Sequence, residues 1–250
     1  PTAGGVEARE AGIRRALEGC FGVAPTSLLG ARVLDAGCGT GEYAAAWRGI
    51  VGPAGSVTGL DFSSPSLRAA SSEAGEGSGW IQGSVLAPPL REGAFDVVWC
   101  SGVLHHTGRA REGARHLAAL VRPGGVFVLG LYHAWGRLRL RSARRWFRVR
   151  HGRGTGAYRA RARRWLAARG AGPGRLALEA SVADQFEHVE ESHHTVRQVR
   201  RWLPAASYAW LGVSPLVAPP GAIGAVRAAL ADLRLARRGA EMFRVAWRRT

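Results

Sequence analysis

Short, mainly apolar runs broken by polar and glycine-rich stretches recur through the first half of the chain. Runs at 32–35, 56–61, 80–83, 95–100 and 125–131 read as strands buried on both faces. Segments at 41–51, 64–74 and 109–121 carry apolar residues at helical spacing and lie between most of these runs. A helix over 7–21, with Ile13, Leu17 and Cys20 near one side, comes before them. This alternation predicts an α/β fold with a mostly parallel sheet covered by helices on both faces.

After residue 131 the rhythm breaks. The stretch 136–169 is rich in arginine, with Trp146, Phe147, Tyr158 and Trp165 interleaved, and "GAGPG" at 170–174 punctuates it. It reads as an insertion. Beyond it the pattern predicts a helix capped by Thr195 and running to 203, a strand at 207–214, a helix over 223–237 and a last strand at 241–248. The expected organisation is one domain over 1–250: a helical segment at 1–30, a core at 31–131, an insertion and substrate segment at 132–194, and completion of the sheet at 195–250.

Composition changes this picture little. With 250 residues the chain can build one sizeable α/β domain, and 46% hydrophobic with 21% charged residues is ordinary for a globular protein. No apolar run approaches the roughly 18 residues that cross a bilayer. No basic segment leads into an apolar stretch at the start, so a cytoplasmic location is expected. Cys20, Cys38 and Cys100 are scattered and form no Cys-x-x-Cys pair, so buried thiols are expected, with no disulfide framework.

Charge is the unusual property. The formal net charge is +17, all the basic residues are arginine, and neither lysine nor asparagine occurs. Such a balance favours polyanionic partners. The bias towards Ala, Gly and Arg weakens that inference, although it does not explain why acids are scarce.

The most informative stretch is "VLDAGCGTGEY" at 33–43. A dinucleotide fingerprint would need a third glycine where Glu42 stands, and a carboxylate there would face the pyrophosphate. The spacing instead is Asp35-x-Gly37-x-Gly39-x-Gly41, an acid followed by alternating glycines. Such a loop lets backbone approach a ligand closely, and its carboxylate suits a cationic or amino-bearing one. Twenty residues after Gly41, Asp61 ends the next strand in "VTGLDFS", where an acid can accept ribose hydroxyls. Together these features fit an adenosyl ligand without phosphates.

These two stretches, with "FDVVWCSGVLHHT" and "LAALVRPGGVFVL" in the same order and spacing, resemble the motifs of class I S-adenosylmethionine-dependent methyltransferases, in the small-molecule, type 11-like branch. The resemblance covers 31–131. It implies a Rossmann-like fold with a seven-stranded, mostly parallel sheet, and S-adenosyl-L-methionine as cofactor. It also implies that Asp35, Gly37 and Gly39, in the loop completed by Cys38 and Gly41, cradle the methionine end. Asp61 would hold the ribose, Phe62 would cover the adenine, and Ser101 and Gly102 would lie beneath the sulfonium. One position departs from the pattern: where the family places an acid facing the adenine amino group, "GSVLAPPL" has Ser84. Its hydroxyl and the Val85 N–H can still contact adenine, but without charge, so weaker cofactor binding is expected.

Candidates for the chemistry follow the strands. His105 and His106 after the fourth strand are candidate bases, with a loop-organising role as the alternative. Tyr132 and His133 after the fifth are candidate acceptor contacts. The cluster "DQFEHVEESHHT" at 184–195 resembles a segment that follows the core in bacterial methyltransferases of this branch, with Val189 in place of a proline. Its Asp184, His188, Glu191 and His194 are candidates for the acceptor pocket, with loop capping or a metal site as alternatives; no metal is expected.

The arginine-rich insertion admits three readings: a lid with inward aromatics, a clamp on RNA phosphate, or a site for an anionic small acceptor. The leading expectation is methyl transfer to an O, N or C atom of a small molecule, in bacterial specialised metabolism by analogy. The alternative is a tRNA or rRNA methyltransferase. Against that, the chain has neither an Asn/Asp-Pro-Pro-Tyr motif after the fourth strand nor a Pro-Cys nucleophile. A third expectation is a non-catalytic nucleoside-binding protein on the same fold.

Overall fold

A computed structural model describes residues 3–73, 77–169, 175–187, 190–215, 224–237 and 240–250. Among these residues seven strands form one sheet: β1 (Arg32–Ala36), β2 (Ser56–Asp61), β3 (Ser78–Gln82), β4 (Phe95–Ser101), β5 (Val121–Tyr132), β6 (Tyr208–Ser214) and β7 (Met242–Arg249). Their order is β3-β2-β1-β4-β5-β7-β6, with β7 antiparallel to both neighbours and the remaining pairs parallel.

Burial on both faces explains the continuous apolar runs. On β4, Val97 and Trp99 join a cluster with Trp47 and Ile50 of α2 (Glu42–Val51) and Ile13 of α1 (Ala3–Ala16). Val98 and Cys100 join a second cluster with Leu117 of α4 (Ala110–Ala119), Val196 and Val199 of α8 (Val196–Val199), and Leu235 of α9 (Gly224–Arg237). A further helix, α3 (Ser64–Glu73), packs along β2 and β3. Alternate β4 side chains thus feed opposite layers, as strand geometry requires.

Several boundaries differ from the sequence expectation. The first helix continues from Ala16 into a π turn (Leu17–Phe21) that Gly22 ends in a left-handed conformation. The fifth strand starts at Val121, earlier than expected, because Phe95 pairs with Val121 before the register shifts. The helix capped by Thr195 is a single turn, with Thr195 Oγ1 accepting the Gln198 N–H at 3.1 Å.

The insertion is helical: α5 (Leu138–His151), α6 (Gly156–Ala167) and α7 (Arg175–Val182). Tyr158, Ala162 and Leu166 recur every four residues and bury one stripe of α6 against Leu140, Phe147, Val182 and Phe186. Thr155 caps α6 by accepting the Tyr158 N–H at 3.2 Å. Of the interleaved aromatics, Phe147 and Tyr158 are buried and Trp165 packs half-buried against them, whereas Trp146 is exposed. Among the described residues, no helix is long and apolar enough to cross a membrane.

Candidate functional site

Open α/β sheets bind ligands beyond the carboxyl ends of their strands, where strand order reverses. Here the reversal falls between β1 and β4. The loop leaving β1 is tied to β2 by Gly37 and Cys38, whose N–H groups donate to the Leu60 carbonyl at 2.7 and 3.1 Å. Asp61 then joins two turns: its Oδ2 accepts the Gly39 N–H and its Oδ1 the Ser63 N–H, both at 2.8 Å. Gly37 has φ +78°, and a Cβ there would lie within 3 Å of the Val103 side chain. Only glycine fits that conformation and that close approach.

Asp35 is 2% exposed, and its Oδ2 has no hydrogen-bond partner. Burial, reinforced by the nearby Asp61 carboxylate, pushes its pKa up to about 7. A buried carboxylate oxygen without a protein partner, beside a second carboxylate, favours a cationic or amino-bearing group and repels a pyrophosphate. The glycine cradle and this charge pattern fit the methionine end of S-adenosylmethionine. Phe62, 80% exposed, stands just beyond Asp61. Ser84 Oγ accepts the Leu86 N–H at 3.1 Å, and Val85 is buried beside it.

At the end of β4, Ser101 Oγ accepts from Arg244 Nε at 3.0 Å, and Gly102 follows with φ +87°. Arg244 and its second partner, Tyr43, were missed in the sequence. Nothing local to "EMFRVAW" signals a site, because the contact exists only once β7 inserts beside β5.

The structure corrects the expectation for His105. Its ring is fully buried, neither ring nitrogen has a hydrogen-bond partner, and its centroid lies 3.7 Å from that of Tyr132. Burial, followed by the charges of His106 and Arg137, holds its pKa at about 2. It stays neutral, with its ring closed off from solvent. Its carbonyl accepts the Ser192 N–H at 2.7 Å and the Ser192 hydroxyl at 3.1 Å, an organising role. His106 is half-buried, with Nδ1 3.3 Å from the Glu190 carbonyl.

His133 is corrected likewise. It is fully buried, its Nδ1 accepts the Gly136 N–H at 3.1 Å, and its Nε2 donates to Asp232 Oδ1 at 3.0 Å. Asp232 also accepts the Val196 and Arg197 N–H groups, so the pair fastens β5 to α8 and α9. Tyr132 is buried under the Arg137 guanidinium, 3.6 Å above its ring.

Glu191 is drawn into an ion cluster with Arg137, Arg144 and His193. Burial pushes its carboxyl up, but the His193 hydrogen bond and the two guanidinium charges outweigh that and bring its pKa to about 2. His194 Nε2 lies 2.9 Å from Ser192 Oγ, and its ring meets Trp202 edge-on, so it packs inward. Asp184 lies in the π turn Ala183–Glu187, and His188 lies outside the described residues. Among the described residues, no three His, Cys, Asp or Glu side chains are grouped to hold a metal ion.

The strand order, with one antiparallel strand set beside β5, and the acid-and-glycine loop at the reversal point define the class I methyltransferase fold. The family described as "Methyltransferase domain" matches residues 34–129. Residues 34–129 thus carry a methyltransferase domain of the class I S-adenosylmethionine-dependent kind, type 11 branch, for which S-adenosyl-L-methionine is the cofactor.

Over 218 residues the chain is 31% identical to an uncharacterized protein of Synechococcus sp., covering 78% of this chain and 51% of that protein. Over 105 residues it is 35% identical to a demethylmenaquinone methyltransferase of Lactococcus lactis, covering 40% of this chain and 42% of that enzyme. The structure of PKMT2 from Rickettsia typhi in complex with AdoHcy shares the fold, with a TM-score of 0.71 at 15% identity over 94% of this chain and 52% of that one. The chain spans about half or less of the length of these curated relatives.

Proposed function

We propose that this chain transfers a methyl group from S-adenosylmethionine to an O, N or C atom of a small-molecule acceptor. The observation that carries this reading is the way the insertion closes over the β4 and β5 ends. The 190–195 segment bonds to the His105 carbonyl and pairs with the chain at 132–134, while Arg137 and Glu191 join the root of α5 to it. A strapped edge of this kind suits a compact acceptor better than an RNA helix. The Lactococcus relative is named for a quinone, which also supports a small acceptor.

In this reading the bound cofactor supplies an electrophilic methyl group. Asp35 and the 37–41 backbone hold the methionine end, Asp61 accepts the ribose hydroxyls, and Phe62, Ser84 and Val85 meet the adenine. Ser101 and Gly102 line the methyl end. The protein's share of the chemistry is positioning and the exclusion of water. His106 is the imidazole left at the rim to take a proton, and Tyr132 forms part of the wall.

The test is incubation with methyl-labelled S-adenosylmethionine and a panel of quinol, phenol, amine and carboxylate acceptors, with bulk tRNA in parallel. Label should enter a small-molecule product and be lost in Asp61→Ala. Label entering the tRNA instead would overturn the reading.

A further inference from the structure

Between Gly136 and Arg169 the chain has thirteen arginines and no carboxylate of its own. Most of the acids that compensate them come from the following segment, and Glu241 beside β7 also pairs with Arg137, at 3.5 Å. Glu179 pairs with Arg163, Glu187 with Arg159, and Glu191 is shared by Arg137, Arg144 and His193. These pairs are used up before the outer face of α5 is reached. Among the described residues, neither Arg145 nor Arg148 has a carboxylate within ion-pair distance.

Those two arginines line one hollow with Arg141, Arg144 and Arg153, around the single carboxylate of Glu191. Its volume is about 220 Å³. That is below the roughly 300 Å³ at which whole small ligands become enclosed, and it is ample for one anionic group. His193, which also lines it, stands with its ring 6.5 Å from that of Tyr132 at the end of β5. The hollow therefore lies beside the edge where the functional reading puts the acceptor. Like charges converging on one concavity repel one another, and guanidinium forks match carboxylate and phosphate oxygens in pairs.

We propose that this hollow between α5, α6 and the residues Phe186, Glu191 and His193 binds a carboxylate or phosphate carried by the acceptor, so the acceptor is an anionic small molecule. The inference deepens the functional reading above and rests on it. A larger arginine-lined hollow beside α4 and α8, about 960 Å³, provides the comparison: it includes Arg197 and Arg201, and its Arg109 is already paired with Glu112.

The experiment is calorimetric titration of the S-adenosylhomocysteine-saturated protein with inorganic phosphate at fixed ionic strength. One saturable site per chain is expected. It should weaken at least tenfold in Arg145→Ala/Arg148→Ala, whose altered residues are exposed, and should be unchanged in Arg197→Ala/Arg201→Ala. Absence of a saturable site, unchanged affinity in the first variant, or equal weakening in both overturns the proposal. So does tight tRNA binding that is lost in the first variant without any phosphate site, because the hollow is then an RNA clamp. S-adenosylhomocysteine affinity is measured separately: its absence in the unaltered protein overturns the cofactor reading as well, whereas its presence without a phosphate site overturns this inference alone.

Discussion

Arg244 reaches across β5 to Ser101, its Nε donating to the Ser101 hydroxyl at 3.0 Å while its second nitrogen donates to the Tyr43 hydroxyl at 2.8 Å. The register makes this span possible: Ser101 pairs with Gly130, and Gly130 pairs with Arg244. A Cβ on Gly130 would lie 2.5 Å from Ser101 Oγ, so the glycine clears the path of the guanidinium. Arg244→Ala leaves both hydroxyls without their charged donor, a loss of about 1.5–3 kcal/mol. A lower melting temperature and roughly tenfold weaker S-adenosylhomocysteine binding are expected. Arg244→Lys should restore little, because an ammonium lacks the fork that serves two partners. Unchanged melting and affinity in Arg244→Ala would contradict this role.

Gly37→Ala places a methyl within 3 Å of Val103 at a φ of +78°. The conformational cost alone is about 1–2 kcal/mol. The substitution should weaken S-adenosylhomocysteine binding about tenfold or more in equilibrium titration. Adding Val103→Ala removes the two nearest methyls but leaves the Val103 Cβ at 2.9 Å and the backbone strain in place, so full recovery in the double variant would show that neither the conformation nor the close approach is what matters.

Asp35 predicts an opposite pair of pH dependences. Its folded pKa of about 7 lies above the ordinary 3.8, so the folded state keeps a proton that the unfolded chain has lost. Its contribution therefore favours folding at low pH and is lost as pH rises through about 7. The groups acting on it are Asp61, which raises its pKa, and Arg9 and the Ala44 backbone, which lower it. A cationic ligand favours the ionised carboxyl, so cofactor affinity should rise over the window in which the apo protein softens. Melting and titration from pH 5.5 to 8.5 check both slopes. Asp35→Asn should flatten them, and retention of both would exclude Asp35 as their source.

Glu191→Gln should loosen the insertion from the sheet. It removes the carboxylate beside the buried Arg137, and because Glu241 at 3.5 Å still offsets part of that charge, the loss should fall below the about 3–5 kcal/mol of a buried pair broken on one side. Because its folded pKa of about 2 lies below the usual 4.5, its stabilisation is present above about pH 4.5 and fades as pH falls through about 2. Limited proteolysis at neutral pH should cut the variant faster within 137–190. Equal cleavage rates would contradict the latch.

The core was legible in the sequence because its signals are local. Strands such as 95–101 bury both faces and read as continuous apolar runs, and the glycine loop needs residue types that no ordinary turn requires. What escaped depends on partners distant in the chain. His133 looked like a rim residue because its partner, Asp232, lies on α9, almost a hundred residues on. His105 looked like a base because nothing in "LHHT" tells that Tyr132 and the 190–195 segment enclose it. Arg244 was invisible for the same reason: its role comes from β7 running antiparallel beside β5, which the apolar pattern of 241–248 does not encode.

The most direct measurement is equilibrium titration of the unaltered protein and Asp61→Ala with S-adenosylhomocysteine, using NAD and ATP as competitors. The account predicts one saturable site that neither nucleotide displaces, weakened at least tenfold when Asp61 is removed. Displacement by NAD or ATP, or equal affinity in Asp61→Ala, would contradict it.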